Sequence, residues 1–343
     1  MFFVENDIIS IMKTLILKPS KETYMLCSEL ARNGEIVAFP TETVYGLGAN
    51  ALDGDAVKKI FEAKGRPQDN PLIVHVGRKE DISKYVKSIS PTQQILIDKF
   101  MPGPISIIFE KADCISDVVT AGGNTVAIRL PENKVAQDFI NACDLPICAP
   151  SANTSKRPSP TNAKHVYDDM NEKIPVIIDG GETEVGIEST VVKVENNTIY
   201  ILRAGRINKE MLVSATGLKV VDKLDNTKIP QSPGTKYTHY KPKCNMVLVK
   251  NDIVRNSIAL YEEAKQNGKR AIIFTSSENE NKYGSREVKV LGKDSNEASH
   301  NLFNYLREVE NNYDLIIAQY FSNGDIIDGL FNRMIKASSG KII

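Results

Sequence analysis

The sequence predicts an α/β protein in two parts, a mixed α/β domain followed by a smaller Rossmann-like parallel-sheet domain. Three observations predict it. The chain has 343 residues, for which two domains is the natural count. Strand-length and helix-length apolar patterns alternate in both halves. A stretch rich in proline, with neither period, separates them. The boundaries read as a tail over 1–17, a first domain over 18–215, a linker over 216–243 and a second domain over 244–343.

In the first domain an amphipathic helix over 22–33 is stopped by Gly34. A short apolar strand over 36–39 ends at Pro40. Asp53 is a good N-cap for a helix over 53–64. Ser90-Pro91 opens another that runs towards Phe100, with Pro91 at the favoured first position. Strands are expected over 72–76, 105–109, 125–130, 146–149 and 176–179, with a helix over 134–143. Segments 190–194 and 198–203 flank Asn196-Asn197 and read as a hairpin. The second domain alternates regularly. Strands are expected over 246–249, 271–274, 288–291 and 315–318, with helices over 252–266, 296–309 and 325–337. That order predicts a parallel sheet covered on both faces.

Composition excludes several classes. Hydrophobic residues are 41% and charged residues 25%, as in an ordinary globular protein. Formal net charge is zero, so bulk charge calls for neither nucleic acid nor an acidic membrane. No apolar run reaches the ~18 residues of a membrane span. The first residues carry acids and lack a cleavage pattern, and Met12 is a candidate start. The five cysteines are scattered without a CxxC pair and read as reduced thiols of a cytoplasmic protein.

Chemistry concentrates in four clusters. FPTETVYGLG (39–48) and AKGRPQDNPLIVH (63–75) bring hydroxyls, glycines and the cations Lys64 and Arg66, which suit a polyphosphate. Taken alone, each half reads as a solvated basic turn with a Gly-rich bend. TAGGNTVAIRLP (120–131) sets Thr125 and Arg129 four apart on one face of a strand. An edge-strand arginine in water explains that spacing equally well. APSANTSKRPSPT (149–161) runs from a short strand into Ser151, Asn153 and Ser159, and DGGETEVGIESTVV (179–192) bends at its glycines before Glu188-Ser189-Thr190. No nucleophile elbow, HExxH or Cys/His/Asp pattern occurs, and the four histidines are dispersed. The inventory suits positioning an anionic substrate rather than forming a covalent intermediate.

Together the clusters resemble the YrdC-like family of threonylcarbamoyl-AMP synthases in its long, two-domain form. The resemblance rests on Lys64-Gly65-Arg66, the distant Ser151-Ala152-Asn153, PTETVYGLG before, NPLIVH after, and IEST. SPGTKYTHYKP (232–242) resembles the interdomain motif of that form, and GLFNRMIKAS (329–338) marks the second domain more weakly.

The resemblance implies a YrdC-like catalytic domain. Its reaction takes L-threonine, bicarbonate and ATP to threonylcarbamoyl-adenylate and pyrophosphate. The product goes to a separate transferase that modifies an adenosine next to the anticodon of tRNA. The resemblance also implies residue roles. Lys64 and Arg66 are the catalytic cations. Thr43, His75, Arg129, Ala149 and Ser189 form the threonine pocket. Asn70, Thr125, Ser151, Asn153, Ser159, Arg203, Tyr237 and His239 join Lys64 and Arg66 around ATP. Mg2+ is expected to arrive with ATP, and no protein metal site is expected. The linker is expected to close over the nucleotide with Tyr237 or His239 near the phosphates. The alternative reading is an RNA-binding module of the same fold with a concave basic face; a carbamoyl transferase of the wider superfamily is the third.

Overall fold

The computed structural model describes residues 13–222 and 239–343. In chain order the first domain runs β1 (Leu15–Leu17), α1 (Lys21–Arg32), β2 (Val37–Phe39), β3 (Gly46–Asn50), α2 (Gly54–Lys64), β4 (Ile73–His75), α3 (Ile82–Tyr85) and α4 (Pro91–Phe100). It continues with β5 (Ile105–Glu110), β6 (Thr125–Arg129), α5 (Lys134–Cys143), β7 (Ile147–Ala149), α6 (Ala163–Met170), β8 (Val176–Ile178), β9 (Thr190–Glu195), β10 (Thr198–Arg203), α7 (Lys209–Thr216) and β11 (Lys219–Asp222). One mixed sheet orders the strands β1-β8-β2-β3-β7-β4-β6-β5-β9-β10-β11. The second domain is β12 (Asn245–Val249), α8 (Ile253–Gln266), β13 (Ala271–Ser276), β14 (Val288–Gly292), α9 (Ser295–Val309), β15 (Leu315–Gln319) and α10 (Ile327–Ala337). Its four strands, ordered β12-β15-β13-β14, are all parallel, as the alternation predicts.

Local chemistry explains the boundaries. Asp53 accepts from the amides of Asp55 and Ala56 to start α2, and Gly65, at φ 58°, ends it. Ser90 and Gln93 form a reciprocal capping box at α4, behind Pro91. Asn196 and Asn197 both take positive φ in the β9–β10 turn.

Four readings need correction. Leu15–Leu17 is not tail but an edge strand parallel to β8, tied on by the Thr14 hydroxyl donating to the Ile174 carbonyl at 2.7 Å. Three residues are too few to show a period, and the partner lies far along the chain. The glycine-rich 46–50 stretch is a strand, paired with β2 and β7. A side chain at Gly48 would come within 2.7 Å of Ile147 and 2.8 Å of Phe39, so packing between strands requires this glycine. The first-domain sheet also runs past 215, because β11 pairs in parallel with β10. Helices α6 and α7 occupy segments for which the sequence reading assigns no element, and α7 crosses the expected boundary at 215.

The domains are bonded to each other. Arg307 of α9 donates to the Pro158 carbonyl at 2.6 Å and to Asp169 at 2.7 Å, and Arg157 pairs with Glu310 at 2.6 Å. Gly186, at φ +78°, lies so close to α9 that a Cβ would sit 2.3 Å from the Ser299 carbonyl oxygen. Gly217, at φ +68°, has open space around it. Gly217→Ala should therefore cost only the left-handed backbone term, roughly 1–2 kcal/mol. Gly186→Ala should lower the melting temperature clearly further. Equal shifts in the two melts would mean that the close docking of α9 does not matter.

Candidate active site

A cleft opens on the first domain, lined by both polar and apolar side chains. Strand register builds its floor. β4 pairs in parallel with β6, setting His75 beside Arg129, and antiparallel with β7, setting Ile73 beside Ala149. Ile73 and His75 are two apart and share a sheet face, so these four residues form one patch. Gly46, bridged to Ser151, extends that floor.

The 41–44 turn forms one wall. The Thr41 hydroxyl donates to the Val44 carbonyl at 2.7 Å and lies 2.8 Å from the Thr43 hydroxyl. A hydroxyl has one proton, so Thr43 donates to Thr41 and turns its lone pairs outward. Arg129 is buried against Glu42, Nη2 to Oε1 at 2.7 Å, while its Nε has no hydrogen-bond partner. Burial, reinforced by Arg129, pushes the His75 imidazole down to about 3, and its Nδ1 is also unpartnered. Buried polar atoms without partners, aimed at a cleft, call for a ligand.

The opposite wall is cationic. Lys64, the last residue of α2, is 2% exposed rather than part of a solvated turn. Its ammonium donates to the carbonyls of Ser151 and Asn153, both at 2.5 Å. Burial, and then Arg66 beside it, push it well below the ordinary lysine value. Ser151 donates to Asn153 Oδ1 at 2.5 Å, and the Asn153 amide donates to the carbonyls of Thr154 and Arg157. The Ser-x-Asn pair and Lys64 thus hold one loop in shape. Among the described residues lining the cleft, Lys64, Arg66, Arg129, Lys156, Arg157 and Arg203 stand against a single carboxylate, Glu188. Such a wall favours a polyphosphate. No group of three or more His, Cys, Asp or Glu among the described residues could hold a metal.

Of the residues expected at the site, Lys64, Arg66, Thr43, His75, Arg129, Ala149, Ser151, Asn153, Ser159, Arg203 and His239 line the cleft. Ser189 stands just behind it, 2.9 Å from Ser106 and accepting from Arg203 at 3.0 Å. Asn70 is fully buried, with its carbonyl facing Arg66, and is not on the wall. Thr125, at the far end of β6 from Arg129, pairs with Glu110 and also stands off the wall. Tyr237 lies outside the described residues. Sequence reading missed Tyr240, Lys156 and Arg157 on the wall and Glu42 behind Arg129. Glu42 sits inside PTET, but only the fold shows which cation it meets.

The buried histidines set a pH dependence. His75 and His239 are pushed down to about 3 and His165 to about 4, burial being the first cause of each. Below the ordinary 6.5 the unfolded chain binds protons that the folded chain refuses. Stability is therefore full above pH 6.5 and is lost as pH falls, by up to about 1.4 kcal/mol per unit for each histidine. Thermal melts from pH 8 to 4 should show a plateau and then a fall beginning below 6.5. A melting temperature constant down to 4.5 would contradict these burial effects.

A family model described as telomere recombination, covering Sua5, YciO and YrdC, matches residues 29–205. A second, described as the C-terminal domain of threonylcarbamoyl-AMP synthase, matches 207–339. The chain belongs to the Sua5/YciO/YrdC family, in the form that carries this second domain. The threonylcarbamoyl-AMP synthase of Bacillus subtilis is 43% identical, over 92% of this chain and 92% of its own length. That of Pyrococcus abyssi is 40% identical, over 91% and 93%. The crystal structure of P. abyssi Sua5 complexed with L-threonine superposes with a TM-score of 0.90 at 37% identity, covering 96% of this chain and 99% of that one.

Proposed function

We propose that the cleft joins L-threonine, bicarbonate and ATP into threonylcarbamoyl-adenylate, releasing pyrophosphate. The observation that carries the reading is a single cleft with two chemically distinct halves. One half is the cation-rich wall of Lys64, Arg66 and Arg203. The other is the Arg129–His75–Thr43 pocket, whose unpartnered Arg129 Nε suits a carboxylate and whose Thr43 lone pairs suit an amine. Membership of the family and the synthase names of its full-length relatives support the same chemistry.

With CO2 the threonine amine forms the N–C bond and gives up a proton; with bicarbonate the same bond forms as a C–O bond breaks and that proton leaves in water. A carbamate oxygen then attacks the α-phosphorus, and the bond to the β-phosphate oxygen breaks, so pyrophosphate leaves. The chain's part is to align the reactants and offset charge as it moves onto the leaving group. His75 and His239 are neutral at pH 7, so they hydrogen-bond without acting as charged acids. Among the described residues no carboxylate cage lines the wall, so Mg2+ would be brought by ATP and held by its phosphates and water. His239 and Tyr240 line one side of the cleft, where His239 would help to shield the mixed anhydride. The product passes to a separate transferase acting on tRNA.

Incubation with ATP, Mg2+, threonine and carbon-labelled bicarbonate should yield one product containing AMP, threonine and the label. Serine should be used about 10–200-fold less efficiently, the worth of one methyl against an apolar wall. A labelled product without threonine would reject the reading.

A further inference from the structure

GLFNRMIKAS, the mark of the second domain in the sequence, forms most of α10. Gly329 starts it against the first domain: a Cβ there would lie 3.1 Å from Gly205 Cα and 2.9 Å from Ile187. One turn later comes Arg333, with no exposed surface. Its Nε donates to Glu188 Oε2 at 2.9 Å, its Nη2 to the Glu188 carbonyl at 3.2 Å and its Nη1 to the Ala204 carbonyl at 2.5 Å. The other carboxylate oxygen, Oε1, accepts from the Ser159 hydroxyl at 2.5 Å. Glu188 and Ser159 line the cleft, whereas Arg333 stands behind them.

An arginine serving only to join domains needs an acidic partner at the seam. This one instead grips the cleft's single acidic side chain among the described residues. Ser159 has one proton, and Glu188 takes it, so Ser159 meets the cleft with its lone pairs. Which way that hydroxyl points is thus decided from the second domain.

We propose that Arg333 is a positioning residue for adenylate formation: it holds Glu188 on Ser159 and thereby fixes the hydrogen-bond polarity of Ser159 towards the substrates. This deepens the function proposed above and rests on it. Several groups face Glu188. Arg333 and Lys336 come from α10, Arg203 from β10, Lys64 from the end of α2, and His239 and Tyr240 from the segment before β12. Burial works to raise the Glu188 carboxyl, but Arg333 and then Arg203 outweigh it and hold it at about 2. Without Arg333 the carboxyl must rise, and a protonated Glu188 can then donate an O–H to Ser159 instead of only accepting from it.

The test is steady-state pyrophosphate release across pH, with each variant normalised to its folded fraction. Arg333→Met should lower kcat/KM by about 100-fold, the scale of a lost preorganised contact. It should also add an acid limb that the wild type lacks. Arg333→Lys, which restores the charge, should move that limb back to lower pH. Adding Glu188→Gln to Arg333→Met should abolish the limb, because no carboxyl remains to titrate. Glu188→Gln alone presents an amide N–H to Ser159 and reverses its polarity. It should raise KM, for threonine if Ser159 faces the amine and for ATP if it faces adenine, and should do nothing further in a Ser159→Ala background. If Arg333→Met does not fold, this Glu188→Gln and Ser159→Ala pair decides. The proposal falls if the folded Arg333→Met enzyme keeps the wild-type pH profile, or if Glu188→Gln acts equally with and without Ser159. A wild type that releases no threonine-dependent pyrophosphate would instead overturn the function itself.

Discussion

Replacing Arg129 with alanine should do two separable things: raise the threonine KM by two or more orders of magnitude and destabilise the fold. The first follows from its place beside His75 at the end of β6, with Nε unpartnered and facing the pocket. A carboxylate that loses a charge-assisted partner there loses roughly 1.5–3 kcal/mol from the hydrogen bond, before the cost of the emptied site. The second follows from Glu42. That carboxylate is 2% exposed and paired with Arg129 at 2.7 Å. Removing one partner of a buried pair costs roughly 3–5 kcal/mol, because the other charge is stranded. The double change Arg129→Ala with Glu42→Gln should recover much of the stability and none of the threonine affinity. Thermal melts and threonine titrations on the wild type, the two single variants and the double variant check this. If the double variant recovered threonine affinity, Arg129 would matter only as a structural counter-ion.

The second large effect is expected at Lys64. Lys64→Met keeps the aliphatic stem and removes the donors. The rate of adenylate formation should fall by about 10²–10³, as for other preorganised electrostatic contacts. Two of the three ammonium protons are committed to the Ser151 and Asn153 carbonyls, so the lysine braces the loop and has its third left for the phosphate proposed in the cleft. The variant should therefore also lose roughly 1–3 kcal/mol of stability for each carbonyl left unpaired. Single-turnover rates with saturating ATP and threonine, normalised to folded protein, separate the two. A normal rate in the folded fraction would leave Lys64 a structural brace.

What the sequence showed and hid follows from range. Caps and turns are local, so Asp53, the Ser90–Gln93 box and the Asn196-Asn197 hairpin were all legible. Periodicity over several elements made the parallel sheet of the second domain legible too. β1 was not, since its three residues depend on β8 for their conformation. The site was legible as an inventory, because hydroxyls and cations clustered in short motifs. Its wiring was hidden. Nothing in PTET says that Glu42 meets Arg129 rather than water, and nothing in GLFNRMIKAS says that Arg333 reaches Glu188. Lys64 illustrates the same limit: its neighbours in sequence suggest a solvated turn, while the fold buries it under a loop almost 90 residues away, on the 87-residue separation from Ser151.

The most direct measurement is pyrophosphate release by the purified 343-residue chain with ATP and Mg2+, with threonine and bicarbonate supplied or withheld independently. Release should require both, since the α-phosphorus is attacked only by the carbamate that they form together. Release at the same rate with either one omitted would contradict the synthesis of threonylcarbamoyl-adenylate in this cleft.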